Sequence, residues 1–309
     1  MRLSPAPLMK QHDMTGIIFD LKRFAVHDGG GLRTTLFLKG CPLRCPWCQN
    51  PEGLEQRPTL LPANSKCIDC KSCISACPQG ALTYTNRIHT NPDLCQLCAR
   101  CAAVCPGNAL EIVGKEISAQ EAADLLMRDQ VFYENGGGVT LSGGEVLLQW
   151  QFAREVLRIC HDAGIHTAIE TSLYAKPAVI ESLLDVVDQF IVDIKLLDSE
   201  AHCQIIGVDN ATILDNYRLL VRLGADILVR TPLIPGFTDD ETNIRSIAQF
   251  LHQTDPDAQY ELLNFNPLCR SKYDALDRPY PVLGGALPQE TIDRLYGIIV
   301  QTGLRKYKE

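Results

Sequence analysis

The stretch Gly40–Pro51 reads Gly-Cys-Pro-Leu-Arg-Cys-Pro-Trp-Cys-Gln-Asn-Pro and places Cys41, Cys45 and Cys48 in a C-x3-C-x2-C spacing. Thiolates hold iron–sulfur clusters, and a cubane [4Fe–4S] cluster normally takes four of them. Three thiolates hold three irons and leave one open. An open metal position is where a small ligand binds and reacts, the feature that separates catalytic from structural zinc sites. The competing reading is a structural zinc knuckle completed by a distant His or Cys. The eight cysteines that follow, in an iron–sulfur spacing, weigh against it. Thr34–Leu38, just before the loop, is β-branched and apolar, as a buried parallel strand should be. The loop therefore sits at the C-terminal end of a strand, where α/β folds carry their active sites.

The later cysteines fall in Pro58–Gly114. Cys67, Cys70, Cys73 and Cys77-Pro78 are followed by Cys95, Cys98, Cys101 and Cys105-Pro106. Both runs read C-x2-C-x2-C-x3-C-P and lead into an apolar strand, a repeat of about 28 residues. In this ferredoxin spacing the fourth cysteine of each run serves the other cluster. The pattern assigns Cys67, Cys70, Cys73 and Cys105 to one [4Fe–4S] cluster and Cys95, Cys98, Cys101 and Cys77 to another. A zinc reading would have to explain the duplication and the proline after each fourth cysteine.

Outside this segment strands and helices alternate. Thr15–Phe24 reads as a strand and Val26–Arg33 as a glycine-rich turn. Strands are expected at Gly138–Leu141, His166–Glu170, Phe190–Ile194, Asp226–Arg230 and Gln259–Asn264. Helices are expected at Ile117–Tyr133 (capped by Ser118), Gln149–Ala163, Ala178–Val187, Ala211–Leu223, Glu241–Gln253 and Pro288–Thr302. Six β/α steps imply a parallel sheet with right-handed crossovers, and they are too few to close an eight-stranded barrel. The expected fold is α/β: a partial (β/α)6 TIM-like barrel over residues 15–57 and 115–309. A ferredoxin-like domain with two [4Fe–4S] clusters is inserted at 58–114. The open side of the barrel would admit a large partner.

Composition narrows the function. A chain of 309 residues at 46% hydrophobic can bury a large core. A formal net charge of −8 argues against a nucleic-acid binder. Met1–Lys10 has no apolar signal-type run, and no stretch of 18 apolar residues is available to span a membrane. Fourteen cysteines in such a chain imply reduced thiols, hence a cytoplasmic protein with metal or redox sites, and an anaerobic setting fits exposed clusters. Cys160, Cys203 and Cys269 fall outside all the spacings and read as buried packing thiols. His89, His161, His202 and His252 read as surface or packing residues.

The polar motifs all fall at predicted strand ends: Gly143-Gly144-Glu145, Glu170-Thr171-Ser172, Asp193-Ile194-Lys195, Arg230 and Asn264-Phe265-Asn266. Taken singly, each is matched by a plain alternative, such as an ordinary turn or a local salt bridge. Together they describe a polar cup around the open iron, sized for a zwitterionic ligand carrying a nucleoside.

The cysteine motif with Trp47 before its third cysteine resembles the radical S-adenosylmethionine superfamily. From about Thr15 onward the chain resembles its glycyl radical enzyme activating enzymes. The resemblance rests on His27-Asp28-Gly29, Gly31-x-Arg33, Phe37–Pro42, Asn50-Pro51-Glu52, Gly136–Thr140, Leu141–Glu145, Gly164–Thr167, Asp193-Ile194-Lys195 and Pro235-Gly236. The insert resembles that of the longer activators. Three positions depart from the family: Gly30 and Val146 stand where prolines are usual, and Glu170-Thr171-Ser172 replaces Asp-Thr-Asn.

The resemblance implies an oxidoreductase with three [4Fe–4S] clusters and S-adenosylmethionine as cofactors. One electron from the cluster on Cys41, Cys45 and Cys48 would cleave S-adenosylmethionine to methionine and a 5′-deoxyadenosyl radical. That radical would take hydrogen from a glycine Cα in the C-terminal glycine loop of a partner glycyl radical enzyme. Trp47, Cys48 and Gln49 would line the adenine side. Gly143, Gly144 and Glu145 would meet the methionine amino group, and Asp193, Ile194 and Lys195 the ribose or carboxylate. Asn266 stands near the ligand where the shorter activators carry His. Asp28 would help hold the partner's loop, and a flavodoxin or ferredoxin would supply electrons. Two other readings stand beside this one: a radical enzyme acting on a small molecule, and a ferredoxin-type electron-transfer protein fused to an inert barrel. The insert clusters could serve as relays or as staples.

Overall fold

The computed structural model describes residues 14–134, 136–304 and 307. Met1–Lys10, read above for a signal sequence, lies outside the described residues. The chain opens with β1 (Thr15–Ala25) and β2 (Arg33–Leu38), then leaves for a separate segment. That segment contains β3 (Thr59–Pro62), α1 (Ser72–Ala76), β4 (Leu82–Tyr84), β5 (Ile88–Thr90), α2 (Arg100–Ala103) and β6 (Leu110–Val113). The chain returns through β7 (Lys115–Ser118), α3 (Ala119–Met127), β8 (Gly138–Gly143), α4 (Trp150–Asp162), β9 (His166–Thr171) and α5 (Pro177–Glu181). It continues with β10 (Gln189–Asp193), α6 (Ser199–Ile206), α7 (Ala211–Arg222), β11 (Ile227–Leu233), α8 (Glu241–Thr254), β12 (Gln259–Asn264), α9 (Arg270–Ala275) and α10 (Gln289–Gln301).

One eight-stranded sheet organises the molecule, in the order β12-β11-β10-β9-β8-β2-β1-β7. The run from β2 through β8 to β12 is parallel throughout. β1 and β7 extend it antiparallel at one edge. Six parallel strands match the six steps read from the sequence, and the architecture is a mixed α/β fold with a large parallel sheet. β8 shows why it forms: Val139 and Leu141 join the apolar core, while Thr140 and Ser142 alternate onto the opposite face. Leu36, Leu38, Leu157, Ile169, Phe190 and Tyr260 are fully buried, each apolar chain contributing roughly 1.5–3 kcal/mol. Among the described residues no helix is long and apolar enough to cross a membrane.

Several boundaries differ from those expected. Ile117 and Ser118 belong to β7, where Ile117 pairs with Gly16. The helix begins only at Ala119, because Ser118 caps it: Ser118 Oγ accepts from the Glu121 amide at 3.2 Å and Glu121 Oε2 accepts from the Ser118 amide at 2.9 Å. α5 stops at Glu181, well short of Val187. β11 runs on to Leu233, so Arg230 is mid-strand rather than terminal. Among the three cysteines read as buried thiols, Cys160 and Cys269 are buried and Cys203 is exposed on α6. His202 is buried and bonds the Val208 carbonyl at 2.7 Å, and His89 lies near the surface against Asp277.

The glycine-rich turn between β1 and β2 is tied down by Arg33, which is fully buried. Its guanidinium donates to Thr140 Oγ1 at 2.7 Å, to the Val139 carbonyl at 2.5 Å, and to the carbonyls of His166, Gly30 and Gly136 at 3.2–3.3 Å. Burial lowers its pKa to about 10. A lysine would keep the charge and lose the planar fork. Arg33→Lys is therefore expected to destabilise the protein by about 2–4 kcal/mol, at about 1 kcal/mol per lost bond, read as a lower urea midpoint. An unchanged midpoint would show that these bonds do not hold the turn.

Candidate active site

The cysteine loop is fixed by its own backbone and by three neighbours. Gly40 N donates to Gly53 O at 2.7 Å and Cys41 N to Leu54 O at 3.0 Å, folding the loop back on itself. Arg44 N reaches Ile206 O at 2.8 Å, which uses α6, a helix not expected from the sequence. Lys272, on the equally unexpected α9, donates to Gln49 O at 3.2 Å and Asn50 Oδ1 at 3.1 Å and pairs with Glu52. Trp47 is buried, packs on Phe237 with ring centroids 5.3 Å apart, and shares a small apolar cluster with Leu43, Leu196 and Phe265.

This loop forms one wall of a cavity of about 390 Å³, within the usual range for small-molecule sites. Cys41, Cys45, Trp47, Cys48 and Gln49 line it from one side. Gly143, Gly144, Glu145, Asp193, Lys195 and Asn266 line it from the strand ends. Three sequence candidates stand apart: Arg230, mid-strand on β11, is not part of the wall, and neither are Ile194 and Asp28. Ile194 turns into the apolar core at 1% exposure. Asp28 lies lower, accepting from Thr35 Oγ1 at 2.6 Å, with its carbonyl held by Thr140 Oγ1. The sequence reading did not single out Ser142, which donates to Glu170 Oε2 at 2.5 Å, as part of the cavity wall.

The two glycines of the Gly-Gly-Glu turn let backbone meet backbone. A Cβ on Gly144 would fall 2.2 Å from Gly40 O, and one on Gly143 2.4 Å from the Leu38 backbone. The close approach carries two bonds, Gly144 N to Leu38 O at 2.8 Å and Glu145 N to Gly40 O at 2.7 Å. Glu145 is buried, and its carboxylate accepts four bonds. Leu147 N (3.1 Å) and Thr171 Oγ1 (2.6 Å) reach Oε1, and Ser172 N (2.8 Å) and Ser172 Oγ (2.6 Å) reach Oε2. That fills the acceptor capacity of a carboxylate.

Charge is arranged around the thiols. Burial pushes Cys41 and Cys48 up to about 12 and raises Cys45 as well. As thiols they are neutral, and binding a metal must displace their protons. Lys195 Nζ lies 2.9 Å from Asp193 Oδ2. Burial opposes its charge, but Asp193 outweighs that, so its pKa is raised. Deeper in, Arg230 pairs with Glu261 (2.8 Å) and Glu170 (3.3 Å) and donates to His27 O at 2.6 Å. Burial and Asp193 raise Glu170 above the ordinary carboxylate range despite Arg230.

The separate segment repeats itself in three dimensions. Asp69 and Lys71 in the first run, and Leu97 and Ala99 at the equivalent places in the second, adopt left-handed φ of 54–59°. Such alternation turns successive amides inward into an anion-binding nest. Ala81 N points at Cys77 Sγ (3.3 Å), and Ala109 N at Cys105 Sγ (3.2 Å). Cys77, Cys95, Cys98 and Cys101 line one cavity. Cys77, the fourth cysteine of the first run, thus stands beside the second run. Among the described residues no three His, Cys, Asp or Glu side chains form a single-ion site.

A family model described as "Radical SAM superfamily" matches residues 35–246. The isethionate sulfite-lyase activating enzyme of Oleidesulfovibrio alaskensis is 39% identical over 294 residues, covering 92% of this chain and 94% of that one. The 4-hydroxyphenylacetate decarboxylase activating enzyme of Clostridioides difficile is 36% identical over 310 residues, covering 97% and 98%. The structure of Streptococcus suis SuiB bound to precursor peptide SuiA aligns with a TM-score of 0.51 at 14% identity over 84% of this chain and 43% of that one, a likeness of fold. The chain belongs to the radical SAM superfamily and, within it, to the glycyl radical enzyme activating enzymes.

Because Glu145 meets only donors, Glu145→Gln would set an NH2 group against at least one of them. The expected cost is about 1.5–3 kcal/mol, seen as a fall in melting temperature before any ligand is added. Melting at the wild-type temperature would mean that the clamp is not formed.

Proposed function

We propose that this chain is an activase. It reductively cleaves S-adenosylmethionine and takes hydrogen from a glycine Cα of a partner glycyl radical enzyme, leaving the radical on the partner. One observation carries this reading: three thiols in C-x3-C-x2-C spacing share one cavity with the Gly-Gly-Glu turn and the Asp193–Lys195 pair. The donor set fits a [4Fe–4S] cluster with one open iron, because soft thiolates suit iron–sulfur centres. When bound, the cluster supplies the electron that makes the deoxyadenosyl radical from S-adenosylmethionine.

The chain's own residues bind and place the cofactor. Lys195, held charged by Asp193, suits a carboxylate or a ribose oxygen. Trp47 and Phe265 provide apolar wall, and Gln49 is tethered to Asn266 O at 3.0 Å, which suits an adenine edge. Gly144, whose amide is used by Leu38, leaves its carbonyl as the acceptor for an ammonium group. Glu145 shapes that turn and would reach the ammonium only by releasing Thr171 or Ser172. Asp28 lies beneath the cavity, on the path of a partner loop that enters deeply. The open sheet, with β12 at its free edge, fits a partial barrel that receives such a loop.

Residues 58–114 form a ferredoxin-like domain holding two further [4Fe–4S] clusters, one on Cys67, Cys70, Cys73 and Cys105 and one on Cys95, Cys98, Cys101 and Cys77. The duplicated nests and the sulfur-directed amides favour this. A flavodoxin or ferredoxin in the cytoplasm would reduce them.

The test is anaerobic reconstitution and reduction, followed by S-adenosylmethionine and candidate glycyl radical enzymes, among them any encoded next to this gene. A glycyl radical signal by electron paramagnetic resonance is expected, and its absence with loaded clusters would overturn the reading. Turnover of a small molecule without any partner protein would favour the second reading. Cys70→Ala and Cys98→Ala are each expected to lower the activation rate at least tenfold while changing S-adenosylmethionine affinity less than twofold. Equal loss of both would make the insert a staple.

A further inference from the structure

Tyr273 lies on α9 beside Lys272, whose bonds to Gln49 O and Asn50 Oδ1 press that helix onto the cysteine loop. It is 4% exposed, and its hydroxyl is buried without a hydrogen-bond partner among the described residues. A buried hydroxyl left so costs about 1–3 kcal/mol, so its retention calls for an acceptor that binds there. The neighbouring Tyr280 differs. Its ring lies 4.6 Å from that of Tyr273, but its hydroxyl meets Cys269 Sγ at 3.4 Å. Burial raises the Tyr273 phenol, so it stays a neutral O–H donor. Its neighbour on α9, Lys272, bonds the carbonyl of Gln49, the residue after Cys48, so the helix packs on that side of the loop.

We infer that Tyr273 tunes the first cluster: its hydroxyl donates to a sulfur on the Cys48 side and makes the cluster easier to reduce. This rests on the reading of Cys41, Cys45 and Cys48 as a cluster site. Reduction adds negative charge to the sulfurs, so a donor stabilises the reduced form more than the oxidised one, and hydrogen bonds to sulfur are a recognised control of potential. The position is apt. Just beyond the far end of α9, Asp277 pairs with Arg87 (2.8 Å) and His89 (2.9 Å) of the insert. Ala275 and Asp277 share a cavity with Cys95. One short helix thus touches both the cysteine loop and the cysteine-rich segment.

The full-length, anaerobically reconstituted protein should be titrated reductively by electron paramagnetic resonance, following the signal that changes when S-adenosylmethionine is added. Tyr273→Phe is expected to lower the equilibrium constant for reducing that cluster about tenfold, equivalent to about 59 mV for one electron. The other cluster signals and S-adenosylmethionine affinity should stay unchanged. Tyr280→Phe, with the same ring loss of a hydroxyl, should leave the potential in place. An unmoved potential in Tyr273→Phe, or an equal shift in Tyr280→Phe, overturns the inference. If Tyr273→Phe fails to load, pulsed hyperfine spectroscopy on the wild type decides: a strongly coupled exchangeable proton upholds it and its absence overturns it. A wild type with no S-adenosylmethionine-responsive signal would instead overturn the functional reading beneath it.

Discussion

The site depends on a single buried carboxylate. Glu145 follows β8, yet its oxygens bind the end of β9 through Thr171 and Ser172, and its amide binds the cysteine loop at Gly40. Three segments far apart in sequence therefore share one small group. A charged acceptor with four donors is strongly held, since bonds to ionised groups are about twice as strong as neutral ones. A flexible loop of cysteines cannot by itself hold three sulfurs at fixed separations. Here rigidity is borrowed from a parallel sheet, and the glycines at 143 and 144 bring the two backbones close enough for the transfer.

Charge in and around the cavity follows a similar logic of mutual support. Thiolates, Asp193, Glu170 and Asp28 would repel one another in a low-dielectric interior. Lys195 and Arg230 stand between them, each paired with carboxylates. Arg230 also grips His27 O, so this buried cation links the strand layer to the glycine-rich turn. The same residues that balance charge thus position backbone. This is why burial alone does not describe them: removing either partner would leave a buried charge uncompensated.

Much of this was legible in the residues. Cysteine spacing, the succession of strands and the placement of most polar motifs at strand ends follow from local pattern, because a parallel strand is a short apolar run and its turn residues are distinctive; Arg230, mid-strand, is the exception. Ser118 read correctly as a cap. What the pattern could not supply was long-range partnership. Ile117 looks helical by periodicity, yet pairing with Gly16 makes it strand. α9 has a mixed sequence, Arg270–Ala275, with no apolar stripe to announce it, and its importance lies in Lys272 meeting a loop more than 200 residues earlier. Cys203 shows the reverse: its chemistry suggested an interior place, but α6 turns it outward. Ile194 likewise shares a motif with two cavity residues and, by strand alternation, faces away from both.

The way residues 58–114 join the rest of the chain has a consequence for how such proteins vary. β3 and β6 pair antiparallel with Thr59 opposite Val113. Departure and return therefore occur side by side, through a stem two strands wide, while β2 and β7 continue the main sheet on either side of it. A segment that leaves and returns through so narrow a neck can change with little disturbance to the sheet. Its bond to the body is made at a second place, where Asp277 grips Arg87 and His89, and that latch can evolve separately from the hinge.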